Sequence, residues 1–171
     1  MKILVFSDSH GAPQHIRAAL RQHDGSADAV IFLGDGALDA NTVFREFPDI
    51  PAYILRGNCD SALRLAACGI DAPEEEVISL GGVRFLALHG HTVHVKSGFG
   101  HAILHAAEKQ ADVLLFGHTH TPENRSVVYP DDPEHRLLLF NPGSVGMSQN
   151  HSYGVIHAID GRISAGHGSA V

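Results

Sequence analysis

The sequence predicts an α/β fold in which two β-sheets pack face to face with helices outside. Three observations carry that expectation. The first half of the chain alternates strand and helix signals, the second half is rich in short strands, and the apolar runs end abruptly in clusters of Asp, Asn, His and Gly. Stacked layers let amphipathic strands and helices bury their apolar faces.

The first strand signal is KILVF, followed by a helix from about Pro13 to His23. Pro13 suits a first helical turn, and Ile16 and Leu20 share one face at i, i+4. AVIFL is the second strand, a helix covers about Leu38 to Phe47, and AYIL is the third strand. Such βαβαβ crossovers imply parallel strands, and open α/β sheets bind ligands beyond the carboxyl ends of those strands. After a helical patch near Ser61 to Ala67, EVISL and VRFLALHGH flank Gly81-Gly82 and predict a hairpin. A helix from about Gly98 to Gln110 precedes DVLLFGHTH. Strands follow near Ser126 to Tyr129, Leu137 to Phe140 and Tyr153 to Ile159, between Pro/Gly-rich turns. The tail SAGHGSAV is expected to be loosely held.

A chain of 171 residues suits one domain, residues 1–171, with a sizeable core. Its apolar runs are strand-length, short of the ~18–20 residues of a membrane span. The opening MKILVFSDSH reaches Asp8 and His10 without a small-residue cleavage site, so it does not read as a signal peptide and a cytoplasmic location is expected. Cys59 and Cys68 then read as reduced thiols. A formal charge of −7 argues against stable nucleic-acid binding through basic patches. It leaves a phosphate substrate open, because bound metal ions can dominate a local field. Histidine is the anomaly, with 14 copies beside 3 Tyr and no Trp.

Seven ligand-type side chains stand at the ends of predicted strands. Asp8 and His10 are one residue apart and can lean to one side, as can His118 and His120. Asp35 adds a carboxylate able to bridge two ions, Asn58 a carbonyl oxygen and His89 another nitrogen. Gly11, Gly34, Gly57, Gly90 and Gly117 adjoin them, and Gly117 is expected to bend the chain so that both following histidines face the site. A lone Asp at a strand end is more often a turn former or helix cap, and Asp8 could cap the helix that follows. The recurrence after strand upon strand favours ligands over independent turn formers. The bland reading, surface or hydrogen-bonded histidine, holds for His15, His23, His135, His151, His157 and His167. His101 and His105, four apart on a helix, read as a solvated face.

SDSHG, GDG, GNCD, HGH, GHTH and NPGS, in this order from Ser7 to Ser144, resemble the calcineurin-like metallophosphoesterase superfamily, and most closely its compact YfcE-type phosphodiesterase group. The resemblance implies a four-layer αββα sandwich of two mixed β-sheets. It also implies that Asp8, His10 and His120 hold one ion, that Asn58, His89 and His118 hold the other, and that Asp35 bridges them. The cofactors implied are two divalent metal ions, Mn²⁺ first, with Fe, Zn, Ni or Mg as alternatives. Many superfamily members carry a histidine where Cys59 stands, and that imidazole can protonate the leaving group. The compact group also shows a cysteine there, and a thiol of pKa ~8.5 matches neutral pH less well than an imidazole at ~6.5. Cys59 therefore reads as a small residue packed beside Asn58, and His91 as the candidate to touch the scissile phosphate, with His91 or His94 otherwise behind the ligands.

The reaction expected is hydrolysis of a small-molecule phosphodiester by metal-bound hydroxide, with Asn58 and His91 as catalytic candidates. The alternatives are a phosphomonoesterase on the same centre and a non-catalytic Vps29-like protein-binding scaffold; the seven filled positions argue against the scaffold. Arg56 reads equally as a phosphate contact or an exposed charge. Homo-oligomers are common among such relatives.

Overall fold

The structure is a computed structural model that describes residues 1–23, 26–129, 131–147 and 149–170. In chain order its elements are β1 (Lys2–Phe6), α1 (Pro13–Gln22), β2 (Ala29–Phe32), α2 (Ala37–Phe44), β3 (Ala52–Ile54), α3 (Ala62–Ala67), β4 (Glu75–Leu80), β5 (Val83–Leu88), α4 (Gly100–Glu108), β6 (Val113–Leu115), β7 (Glu123–Tyr129), β8 (Asp132–Asn141), β9 (Ser152–Ile159) and β10 (Arg162–Ser169). One five-stranded sheet has the order β10-β9-β1-β2-β3 and the other β4-β5-β6-β8-β7. Strands β1, β2 and β3 run parallel, as do β5, β6 and β8, and the remaining pairs are antiparallel. Both sheets are therefore mixed.

The period-2 alternation of the strands explains the layering. Ile3, Val5 and Ile31 meet Phe85, Ala87, Leu115 and Phe140 between the sheets. Their neighbours Leu4, Phe6, Val30 and Phe32 point the other way, onto Ile16 and Leu20 of α1 and Val43 of α2. On the second sheet, Leu86, Leu88, Leu114 and Phe116 face Ala102 and Ala106 of α4. Burial on both faces is why β1, β2 and β6 read as unbroken apolar runs. The result is the α/β sandwich with helices outside that the sequence predicts.

Three details differ from the sequence-based expectations. The tail is not loose: β10 pairs with β9 along its length, Arg162 opposite Ile159 through Ser169 opposite Ser152. Its glycines hide it from propensity, yet Gly168 is required, since a Cβ there would collide with the Tyr153 ring. The second helix stops at Phe44 rather than Phe47, and turn hydrogen bonds from Glu46 N to Val43 O and from Phe47 N to Phe44 O replace its last turn. His105 does not lie on a solvated face; its Nε2 stands 2.6 Å from Glu75 Oε2 on β4, and Lys109 Nζ is 3.0 Å from Oε1 of the same carboxylate.

Candidate metal centre

The parallel strands of both sheets end at one rim, and the loops beyond them carry the candidate ligands. From the first sheet come Asp8 and His10 after β1, Asp35 after β2 and Asn58 after β3; from the second come His89 after β5 and His118 and His120 after β6. Ligand atoms of Asp8, His10 and His120 lie within 4.8 Å of one another, and so do those of Asp35, His89 and His118. His10 and Asp35 link the two groups, with His10 Nε2 3.9 Å from Asp35 Oδ2. The structure thus brings six of the seven predicted ligands together.

Asn58 lies on the exposed side of the same rim. It follows Gly57, where a Cβ would collide with Asp35 Oδ1, so the loop lies on the same rim. Its side chain is exposed, and its amide donates to Cys59 Sγ at 3.3 Å. Cys59 departs from the expectation of a small packed residue: it is exposed and forms a third close group with His10 and Asp35. Hydrogen bonding to the Asp35 carboxylate, then burial, pushes its thiol up to about 11. His91 is half-buried, its ring centroid 5.5 Å from that of His89 and 6.2 Å from that of His118. His94 is exposed. Arg56 is engaged within its own loop region, with Nη1 donating to Ala72 O at 2.8 Å and Nη2 3.3 Å from Glu74 Oε1.

The backbone at this rim is unusual. Asp8, His10, Asp35, His118 and His120 all adopt positive φ, between 44° and 66°. Non-glycine residues rarely do so, and the cost is about 1 kcal/mol or more per residue, so the surrounding packing must hold them there. The bend in GHTH is taken by the two histidines themselves. Gly117 has another use: a Cβ there would collide with Ser7 Oγ, so the glycine lets the β6 loop close onto the β1 loop.

Several hydrogen-bonding groups behind the ligands fix this geometry, and two were not legible from the motifs. Asp60 accepts four backbone N–H groups: Asp35 N and Gly57 N at Oδ2, Gly36 N and Ala37 N at Oδ1, all between 2.8 and 3.0 Å. Asp39 Oδ2 accepts from Ser9 Oγ at 2.7 Å and Gly11 N at 2.8 Å. A carboxylate that gathers backbone donors leaves no pattern in sequence, because those donors meet only in the folded chain. The NPGS turn ties the sheets together. Asn141 Nδ2 donates to Gly117 O at 2.9 Å and Thr119 Oγ1 at 3.1 Å, and Ser144 Oγ donates to Asp8 O at 2.8 Å.

The donor set fits divalent ions. His89 Nδ1 sits 3.0 Å from Leu33 O, which turns Nε2 toward the carboxylates, 3.4 Å from Asp35 Oδ2 and 3.9 Å from Asp8 Oδ1. His120 Nε2 is 3.2 Å from Asp8 Oδ1 and 3.4 Å from His10 Nε2. Ligand atoms around an ion at ~2.1 Å stand ~3.0–3.4 Å apart, so this spacing fits a coordination shell at least as well as direct hydrogen bonds. Buried Asp8 Oδ1 and His89 Nε2 also have no hydrogen-bond partner among the described residues, a cost that an ion would remove.

Charge is shared unevenly across the cluster. Burial works to raise the Asp35 carboxyl, but the adjacent His89 imidazole and the hydrogen bond from the Cys59 N–H hold it well below the usual range. Burial likewise works against the His89 imidazolium, while the Asp35 and Asp8 carboxylates raise its pKa. His118 is lowered to about 4 by burial and by the neighbouring His89, which leaves it neutral and free to donate a lone pair.

Fold and donor set together define a metal-binding α/β sandwich. Residues 1–161 match the calcineurin-like phosphoesterase superfamily domain, and the chain belongs to that superfamily. It is 31% identical over 185 residues to the phosphodiesterase YfcE of Escherichia coli K12, covering 96% of each chain. A conserved protein of Streptococcus pneumoniae TIGR4, described as a predicted phosphoesterase, superposes with a TM-score of 0.76 at 24% identity, over 99% of this chain and 89% of that one. The Entamoeba histolytica Vps29 D62A mutant superposes with a TM-score of 0.70 at 19% identity, covering 99% of both. These two structural likenesses speak for the fold; the family makes the chain a metal-dependent phosphoesterase.

Proposed function

We propose that the chain is a dinuclear phosphodiesterase acting on a small-molecule phosphodiester. The observation that carries this reading is the pair of ligand groups, Asp8/His10/His120 and Asp35/His89/His118, joined through His10 and Asp35. In this reading Asp8, His10 and His120 would hold one ion and His89, His118 and the Asn58 carbonyl oxygen the other, with the Asp35 carboxylate available to both. Two divalent ions bound there would lower the pKa of water to give a nucleophile and would neutralise charge developing on phosphorus. Mn²⁺ is the metal we would supply first.

The remaining roles fall to the chain's own groups. His91 and Asn58 stand beside the second group and would hydrogen-bond the non-bridging phosphate oxygens, holding the ester in line for attack. Asp39, Asp60, Asn141 and Ser144 touch no substrate in this reading; they position the loops. With Cys59 where an imidazole would serve as acid, the leaving group departs with little help. Turnover should therefore fall steeply as leaving-group pKa rises, and a flat dependence would refute that assignment.

The test is hydrolysis of a chromogenic phosphodiester and its matching monoester by metal-stripped protein resupplied with Mn²⁺, with metal content measured alongside. Two ions per chain and metal-dependent cleavage of the diester are expected. Cleavage of the monoester alone would move the assignment to a phosphomonoesterase. No turnover with any divalent ion despite bound metal would favour the scaffold reading suggested by the Vps29-like fold.

A further inference from the structure

Beside the His10, Asp35 and Cys59 group a cleft of about 330 Å³ opens between the start of α2 and helix α3. That volume is at the lower end of the ~300–1,000 Å³ range of small-molecule sites, and it suits a substituent of an ester as well as the phosphate itself. Its wall combines apolar and charged parts. Leu38 and Leu65 supply carbon surface, and Leu65 is buried. Arg64, an exposed residue of α3, is among the described residues the single lysine or arginine of this lining, which it shares with the candidate ligands His10 and Asp35.

The carboxylates of the lining are already engaged. Asp60 is occupied by four backbone donors, Asp39 by Ser9 and Gly11, and Asp35 accepts from Cys59 N at 2.8 Å. Arg64 is different. Its backbone N–H donates to Ser61 Oγ in the cap of α3, but among the described residues its guanidinium has no ion pair and no hydrogen bond. By contrast, Arg17 is paired with Glu46 and Arg56 with Ala72 O and Glu74. A guanidinium offers five donors in a planar fork that matches a phosphoryl group.

We propose that Arg64 forms a subsite for a second phosphoryl group, carried on the substrate's carbon skeleton several bonds from the ester that is cleaved. The proposal rests on the phosphodiesterase reading of the neighbouring centre. The scissile phosphate would sit at the His and Asp rim, the skeleton against Leu38 and Leu65, and the distal phosphate at Arg64. The substrate class is then a bis-phosphorylated diester of nucleoside size, preferred over the same ester without its distal phosphate.

Two readouts test this, one of them without turnover. Metal-loaded protein is titrated with thymidine 5′-phosphate and with thymidine 3′,5′-bisphosphate, and kcat/KM is measured on thymidine 5′-(p-nitrophenyl phosphate) with and without a 3′-phosphate. The distal phosphate should improve both binding and kcat/KM about tenfold, the order expected of a charge-assisted contact at a partly exposed site. In Arg64→Gln the ratio should fall to near one, and in Arg64→Lys it should partly return. A wild-type ratio near one, or an unchanged ratio in Arg64→Gln, would overturn the subsite. Failure to hydrolyse any diester would sink the phosphodiesterase reading instead, and the binding ratio would still decide the role of Arg64.

Discussion

The two ligand groups are built from the same residue types but differ in their contact with water. His89 and Asp35 are almost completely buried, and His89 is oriented by a carbonyl behind it. On the other side only Asp8 is buried; the side chains of His10 and His120 retain 23% and 35% exposure. A buried ligand is held before an ion arrives and pays little ordering cost, while an exposed one stays accessible to solvent and substrate. His89 and Asp35 are thus suited to hold an ion firmly and His10 and His120 to leave one open to exchange, while half-buried His118 stands between the two cases.

The largest effect should come from breaking the link between the groups. Asp35→Asn is expected to lower diester turnover by about 4 kcal/mol, roughly 1,000-fold, and to reduce bound metal below two ions per chain. Steady-state kinetics beside metal analysis checks both. Removing one imidazole from each side sharpens the contrast. His89→Ala should destabilise the metal-free protein by about 2 kcal/mol through its cavity, whereas His120→Ala should stay within about 0.5 kcal/mol. Denaturant titration reads that difference. Added imidazole should restore activity to His120→Ala, where a small molecule can enter, and leave His89→Ala inactive.

Smaller effects lie behind the ligands and far from them. Asp60→Asn replaces an acceptor oxygen facing two backbone N–H groups with a donor, and should cost about 1–2 kcal/mol, a fall in Tm of roughly 3–6 °C. At the far edge, burial works to raise the Glu75 carboxyl, but His105 and Lys109 hold its pKa below the ordinary glutamate value. That pair contributes stability above the unfolded pKa and loses it as pH falls through the folded value. Because Glu75 is over a third exposed, Glu75→Gln should cost no more than about 0.5 kcal/mol at pH 7 and nothing near pH 3. Thermal melts at both pH values check it.

What could be read from sequence and what could not divide along physical lines. Strands β1, β2 and β6 were legible because burial on two faces writes an apolar run, and the ligands because each run stops at Asp, Asn or His. Strand β10 was not, since its pairing depends on the length of edge that β9 presents rather than on its own residues. Nor was the left-handed backbone at His118 and His120, nor the close approach of Gly117 to Ser7 of the other sheet's loop beside it. Asp60 looked like the last letter of GNCD; its four donors come from two loops separated by more than twenty residues.

Each ligand group draws from both sheets: Asp8 and His10 with His120, Asp35 with His89 and His118. An ion in either place would be a rivet through the sandwich, fastening two layers otherwise held at this rim by the NPGS turn, the contact of His89 Nδ1 with Leu33 O, the hydrogen bond from His118 N to Asp8 Oδ2, and packing. Ions that bind the native state alone raise stability by mass action. Loading the protein should therefore slow amide exchange most along β1 and β6, so that the metal supply of the surroundings would govern how long the enzyme lasts as well as how fast it works.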